Sequence, residues 1–284
     1  MTSLIAHLGP TGTNAEAAAF AYAHLLHQQG IQTQLCAYPS IAQTVRATAQ
    51  GQTHLTVAPV ENSIEGSVPI TLDSLWQCDR LQIQQGLVLP ISHALISTAK
   101  ELAEIQTVYS HPQALAQCQE WLEQHLPHVQ LLAANSTTEA LKHLEENPHI
   151  GAIASQRAAE LYGMPILAHP INDRPDNCTR FWVLGLQPST GGSHTSLAFS
   201  VRANVPGALV GPLQAFASRG INLSRIESRP TKRSLGDYLF FIDLEADASH
   251  PEVQTALDEL ATYTEILKIF GSYNIISIDL PPSS

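Results

Sequence analysis

The chain has 284 residues, which at roughly 150 residues per domain suggests about two domains. Apolar residues make up 44 % and charged ones 14 %, the composition of a folded protein and not of a disordered one. Lys and Arg number 14 against 25 Asp and Glu, and the resulting net charge of −11 speaks against binding nucleic acid through its phosphates.

The longest apolar stretch, Leu87 to Ser97, is broken by Pro90 and His93 and falls short of the roughly 20 residues a membrane span needs. The start, MTSLIAHLGP, lacks the basic region and long apolar run of a signal peptide. Cys36, Cys78, Cys118 and Cys178 show no CxxC or zinc spacing, and read as reduced, mostly buried thiols of a cytoplasmic protein. The 13 histidines form no HExxH or HxH pattern, so no metal site is expected and most read as surface or capping residues.

The elements begin with an apolar run, Ser3 to Leu8, ended by Gly9-Pro10. A helix from Glu16 to Gln29 is stopped by Gly30, and Ile31 to Tyr38 is strand-like. Ser40 caps a helix running to Gln50, and Leu55 to Pro59 is again a strand. This βαβαβ order predicts a parallel sheet with helices on its faces. Leu81 to Thr98 is extended and separates this half from a second alternation: strand Thr107–Ser110, helix Pro112–Gln124, strand Val129–Ala133, helix Ser136–Glu146 and strand Ile150–Ala154. Two α/β lobes with a ligand cleft between them are the expected result. Phe181 to Leu186 is the next strand.

Pro188 to His194 is uncharged and turn-rich, and reads as a linker over 188–194 between a domain of 1–187 and one of 195–284. Beyond it come strand Thr195–Ala203, helix Gly207–Ser218, strands Ile221–Glu227 and Tyr238–Ala246, helix Pro251–Tyr263 and extended Glu265–Ile278. That βαββαβ order is ferredoxin-like.

Several motifs sit where strands end. Gly9-Pro10-Thr11-Gly12-Thr13 leads from strand to helix and offers free N–H groups to an anion, but it is neither GxGxxG nor a P-loop. Pro59 to Val68, PVENSIEGSV, places Glu61, Asn62 and Ser63 directly after an apolar strand, where α/β sheets hold ligands. Ser110 before Pro112, and Ser136 with Glu139, are complete as helix caps. Asn172 to Phe181 is densely polar; its Arg180 suits a carboxylate, while Thr179 by itself reads first as a strand Thr paired across a sheet. No GxSxG elbow and no spacing marks a nucleophile with its base. The residues alone reach a two-lobed binder of a small anion.

In this order the segments GPTGT, PVENSIEGSV, YSHPQALAQC, GAIASQRAAELYG and DNCTRF resemble the prephenate dehydratase family over nearly the whole chain. The tail, from Asn204-Val205-Pro206-Gly207-Ala208-Leu209 to Ile226-Glu227-Ser228-Arg229-Pro230, resembles the ACT regulatory domain these enzymes carry. The resemblance implies a periplasmic-binding-protein-like (type II) pair of lobes followed by a ferredoxin-like βαββαβ domain. It implies loss of CO2 and water from prephenate to give phenylpyruvate, without cofactor or metal. It assigns Thr179 to the reacting end. Thr11, Thr13, Asn62, Ser63, Ser110, Gln117, Ser136, Thr137, Arg180 and Phe181 are implied to line the substrate cleft.

Phenylalanine is implied as effector, held by Asn204, Gly207, Ala208 and Leu209 with Glu227, Ser228 and Arg229, in a homodimer or homotetramer. Two departures stand out. Asn14 and Ala15 replace the aromatic residue and Ser that commonly follow GT, and the helical chorismate mutase segment of some relatives does not precede the first strand. One activity is therefore expected. Arogenate dehydratase, and a non-catalytic sensor of the same fold, are the rival readings.

Overall fold

Short apolar runs separated by helices build three units, described over residues 2–145 and 147–279 of a computed structural model. The first unit holds β1 (Ser3–Leu8), α1 (Asn14–Gln28), β2 (Thr33–Tyr38), α2 (Ile41–Ala49), β3 (Leu55–Asn62), β4 (Gly66–Ser67), α3 (Pro69–Trp76) and β5 (Gln82–Pro90). The chain then crosses to a second unit of β6 (Ala94–Ile96), β7 (Thr107–Ser110), α4 (Pro112–Ala116), α5 (Gln119–His125), β8 (Gln130–Ala133), α6 (Thr137–Ala140), β9 (Ile150–Ala154), α7 (Gln156–Leu161) and β10 (Ile166–Ala168). It returns through β11 (Cys178–Gly185) to the first sheet. The third unit is β12 (His194–Val201), α8 (Val210–Ala217), β13 (Leu223–Pro230), β14 (Tyr238–Leu244), α9 (Pro251–Tyr263) and β15 (Thr264–Tyr273), followed by β16 (Ile275–Ser277).

The first sheet runs β16-β5-β11-β3-β1-β2, with β4 on the end of β3. β1 lies parallel to β2 and β3, as the alternation predicts, but the returning β11 enters antiparallel between β3 and β5. The sheet is therefore mixed. The second sheet, β10-β6-β9-β7-β8, is mixed in the same way. The third, β13-β14-β12-β15, is antiparallel and carries the βαββαβ order expected of the tail.

Three sequence readings shift. The helix read over 112–124 is two short helices, broken where Cys118 breaks the helical backbone. Only Thr137–Ala140 of the helix read from Ser136 is α-helical; the chain then tightens into a 3-10 turn, and Glu146 lies outside the described residues. The extended tail bends at Asn274, and β16 leaves the third sheet to pair in parallel with β5. The end of the chain is thus bound into the first sheet and not wholly into the third; 280–284 lie outside the described residues.

Side-chain alternation along β11 joins the units. Phe181 and Val183 pack with Ile5, Val57, Leu87 and the alanine face of α1. Trp182 and Leu184 point the other way, into a core built with Leu72, Leu75 and Ile83 and with Ala198, Phe241, Phe270 and Tyr273 of the third unit. The third sheet therefore shares one apolar core with the first. Of the cysteines only Cys118 is fully buried, and burial pushes its thiol up to about 12; all four are free thiols. Among the described residues no helix is long and apolar enough to cross a membrane.

Within the shared core, the Trp182 indole N–H donates to Tyr273 Oη (3.1 Å), and Tyr273 Oη also meets Ser196 Oγ at 2.7 Å. Tyr273→Phe strands the indole donor, and is expected to cost about 1–3 kcal/mol. A urea midpoint unchanged from wild type would show that the indole had found another acceptor.

Candidate active site

Thr179 stands near the start of β11, opposite Asn62 at the end of β3 and Leu89 on β5. It is paired across the sheet as a strand Thr, and the strand read from Phe181 begins earlier because Cys178 already pairs with Pro90. Asn62 ends β3 by turning its own side chain back on the chain: its Oδ1 accepts the N–H groups of Ile64 and Glu65, both at 3.0 Å. That fixes which end of the amide faces Thr179. The opposite end, Nδ2, donates toward Thr179 Oγ1 (3.0 Å), Asn177 Oδ1 (2.9 Å) and the Cys178 carbonyl (3.1 Å). The Thr179 oxygen thus accepts a bond, and its own proton is left to donate.

The network continues inward. Asn177 Nδ2 donates to Gln117 Oε1 at 2.9 Å, and His93 Nε2 meets the same oxygen at 3.0 Å. An amide oxygen only accepts, so His93 carries its proton on Nε2. Burial lowers its pKa against a smaller raising effect of the bond to Gln117, and the imidazole is neutral. Asn62, Thr179, Asn177, Gln117 and His93 are all buried. All but Asn177 border a cavity of about 780 Å³ between the first and second units.

Seven of the expected cleft residues meet here: Thr13, Asn62, Gln117, Ser136, Thr137, Thr179 and Phe181. Two of these are also occupied as caps, Thr13 on α1 and Ser136 on α6. Four are not brought to the cavity wall. Ser110 is buried and its Oγ donates to the Ile153 carbonyl at 2.6 Å; His111, not Ser110, caps α4. Ser63 Oγ accepts the Cys178 N–H at 3.0 Å, holding the start of β11. Thr11 is exposed, its carbonyl 3.4 Å from Tyr162 Oη. Arg180 points to the opposite face of β11, where Nη1 lies 3.7 Å from both Glu61 Oε2 and Asp243 Oδ2. Strand alternation decides this: if Thr179 faces the cleft, Arg180 cannot.

The prephenate dehydratase profile matches residues 5–189, and the ACT domain profile residues 195–262. The chain belongs to the prephenate dehydratase family. It is 45 % identical over 220 residues to the bifunctional chorismate mutase/prephenate dehydratase of Aquifex aeolicus (strain VF5), covering 76 % of this chain and 60 % of that relative's length. The prephenate dehydratase of Lactococcus lactis subsp. lactis (strain IL1403) is 34 % identical over 282 residues, 96 % of this chain and 98 % of the relative. The solved prephenate dehydratase of Arthrobacter aurescens in complex with L-Phe superposes with a TM-score of 0.84 at 32 % identity, covering 99 % and 94 % of the two chains. A structure described as GqqA, a novel type of quorum quenching acylases, superposes at 0.82 with 29 % identity, covering 96 % and 98 %.

The cavity also contains residues that the sequence reading did not single out. His93 lies in an apolar stretch, His111 sits inside the YSHPQALAQC motif as a helix cap, and Asn135 and Lys142 fall at a helix start or on a helical turn, where polar residues are ordinary. Only the fold gathers them.

The expected effector residues lie at one end of the third unit. Gly207 turns at φ +81°, and Asn204 Nδ2 donates to the Gly236 carbonyl at 2.9 Å. On β13, Glu227 and Arg229 reach the first unit. Ser67 Oγ donates to Glu227 Oε2 (3.0 Å), and Arg229 forks onto Asp73 through Nε (3.0 Å) and Nη2 (3.1 Å), joined by Lys232 Nζ at 2.8 Å. Burial pushes the Asp73 carboxyl up, but the bonds from Arg229 and Lys232 outweigh it and hold it below the usual carboxylate range.

His93 gives the cleft a pH dependence with a definite sign. Its folded pKa is lowered, so on acidification the unfolded chain takes the proton first. Its contribution to stability is full above the ordinary imidazole range near 6.5 and shrinks as pH falls through that range toward the folded value. The fall in Tm between about pH 7 and about pH 5 is expected to be smaller in His93→Gln than in wild type. Equal falls in the two proteins would show that His93 makes no such contribution.

Proposed function

We propose that this chain converts prephenate to phenylpyruvate with loss of CO2 and water, and that Thr179 is its working group. The observation that carries the reading is the Asn62 Nδ2 to Thr179 Oγ1 bond at 3.0 Å in a buried cleft of this family. Prephenate brings two carboxylates and a ring hydroxyl. As the ring carboxylate leaves as CO2, its electron pair enters the ring, the opposite C–O bond breaks, and the departing oxygen takes up one proton to become water. Aromaticity drives the step, so the protein supplies orientation and a hydrogen bond to the leaving oxygen. A Thr hydroxyl is a weak acid but a good positioned donor, and Asn62 frees its proton for that use. Gln117, Ser136 and Thr137 are proposed to hold the carboxylates, with Lys142 as the cation of the cleft wall, while Thr13 spends its hydroxyl on the Leu8 and Pro10 carbonyls and shapes the turn.

Acyl hydrolysis, the activity in the name of one structural neighbour, fits less well. A nucleophilic Thr needs a base on its oxygen, whereas Thr179 Oγ1 receives an amide N–H. Arogenate differs from prephenate only in carrying an amino group for the keto group, away from the ring hydroxyl that Thr179 serves. It is the competing substrate to assay beside prephenate.

We also propose domain limits of 1–187 and 195 onward joined by 188–194, a cytoplasmic location, and phenylalanine as effector at the Gly207 turn and the Glu227–Arg229 segment. A second copy is the proposed partner at this end. β13 is an edge strand of its sheet, and Ile226, Val205 and Val210 near it are 49 %, 56 % and 66 % exposed.

Thr179→Ala is expected to fold with a normal Tm and to lose about 10²–10⁴ in kcat, followed as phenylpyruvate absorbance. A near wild-type kcat would remove Thr179 from the mechanism. Saturating phenylalanine is expected to change turnover and raise Tm in the wild type. Gly207→Val, strained at φ +81°, is expected to lose both responses. A wild type indifferent to phenylalanine in both assays has no such effector site.

A further inference from the structure

The first and second units are joined covalently only through residues 91–93 and 169–177, two short crossovers of the kind that permit hinge motion. The spacing between the turn after β1 and the turn before α6, which face each other across the cavity, is therefore set by noncovalent contacts. Among them is an ion pair whose carboxylate is buried and whose guanidinium is partly so. Arg157 on α7 forks onto Glu16 on α1, Nε to Oε2 at 3.0 Å and Nη2 to Oε1 at 2.7 Å. The guanidinium lies 4.0 Å over the Phe20 ring, and Glu16 is only 4 % exposed.

Glu16 also accepts the Gly12 N–H through Oε2 at 3.3 Å, so the same carboxylate holds the turn and the opposite lobe. Around it Ser155 Oγ donates to the Gly12 carbonyl (3.3 Å) and Tyr162 Oη to the Thr11 carbonyl (3.4 Å). A side chain at Gly12 would come within 3.0 Å of Thr138 Cγ2 and 3.4 Å of Ala158 Cβ, so the two backbones meet at close range. Thr13 and Thr138, the neighbours of these contacts, line the cavity from its two sides.

We infer that Glu16 and Arg157 are positioning residues that latch the two lobes at the spacing substrate requires. The inference rests on the dehydratase reading of the cleft. A buried ion pair often adds little net stability, because desolvation offsets the attraction. Its effect here is on geometry. Breaking it lets the lobes populate open forms, and substrate must then draw the lobes together, which weakens apparent affinity by the fraction still closed. Once closed around substrate, Thr179 and Asn62 meet it as before.

The test uses the full chain carrying Glu16→Gln or Arg157→Lys, with prephenate kinetics and small-angle X-ray scattering without ligand. Glu16→Gln is expected to raise KM about tenfold or more with kcat within about threefold, and to enlarge the radius of gyration. Arg157→Lys keeps the charge but loses the fork, and is expected to move KM the same way by less. It carries the test alone if Glu16→Gln fails to fold. A folded variant with unchanged KM, or with kcat lowered at constant KM, overturns the latch. If wild type does not turn over prephenate, the dehydratase reading falls by itself; the scattering still decides the latch, and equal radii reject it.

Discussion

Everything in the molecule hangs on a single strand whose two faces do different work. β11 is the central antiparallel insertion in the first sheet, paired on both sides over its length. Its odd-numbered side chains, Thr179, Phe181 and Val183, build the cleft and the core under α1, while Arg180, Trp182 and Leu184 build the contact with the third unit. Period-2 alternation makes these assignments inseparable, since a slip of one residue would exchange every one of them. The Trp182 and Tyr273 rings, 6.5 Å apart and edge-on, anchor the outer face. The Thr179 hydroxyl is thus positioned by the same packing that fastens the third unit.

The cleft is held mainly by amides, hydroxyls and one neutral imidazole. Asn62, Asn177, Gln117 and His93 pass hydrogen bonds from one to the next, each orientation fixed by the last, beginning with two backbone N–H groups that only Asn62 Oδ1 can accept. Neutral groups can be buried with their bonds satisfied at far smaller desolvation cost than charges. Glu139 and Lys142 stand on the cleft wall, and the ion pairs lie elsewhere, on the outer face of β11 and between the lobes. Asp243, 1 % exposed, shows the contrast: Arg225 Nε reaches it at 2.7 Å and Ser196 Oγ at 2.5 Å, with Arg180 at 3.7 Å. That ionic cluster ties the third sheet to β11 one residue away from Thr179, on the face turned away from the cleft.

Much of this was legible in the residues, and the failures have identifiable causes. Strands bounded by Gly and Pro, the Ser40 cap and the βαββαβ tail follow from local signals, and Pro251–Tyr263 is the helix read from sequence. The parallel sheet was half right because β11 arrives from the other lobe, a pairing between residues more than 100 apart that no periodicity reports. Motif resemblance names Thr179, Asn62 and Gln117, which the fold brings to one cavity, but it does not say which way a side chain points. Ser110 and Ser63 spend their hydroxyls on neighbouring backbone, and Arg180 faces away. His93 and Lys142 were invisible for the opposite reason: their local surroundings are ordinary, and only the closed cleft brings them to one wall.

The placement of Glu227 and Arg229 gives the effector reading a physical route to the cleft. Both belong to the segment expected to hold phenylalanine, yet their side chains are bonded to Ser67 and Asp73 of the first unit. Ser67 lies on β4, whose partners on β3 are Glu61 and Asn62. Glu61 in turn meets Arg180, and Asn62 holds Thr179. On that reading a ligand that engages Glu227 or Arg229 competes with their bonds to Ser67 and Asp73, one strand pairing away from Thr179. Because such coupling is reciprocal in binding free energy, substrate in the cleft must shift effector affinity by the same factor. The fold needs no long relay for this, since β4, which Glu227 contacts, and β11, which carries Thr179, both pair with β3.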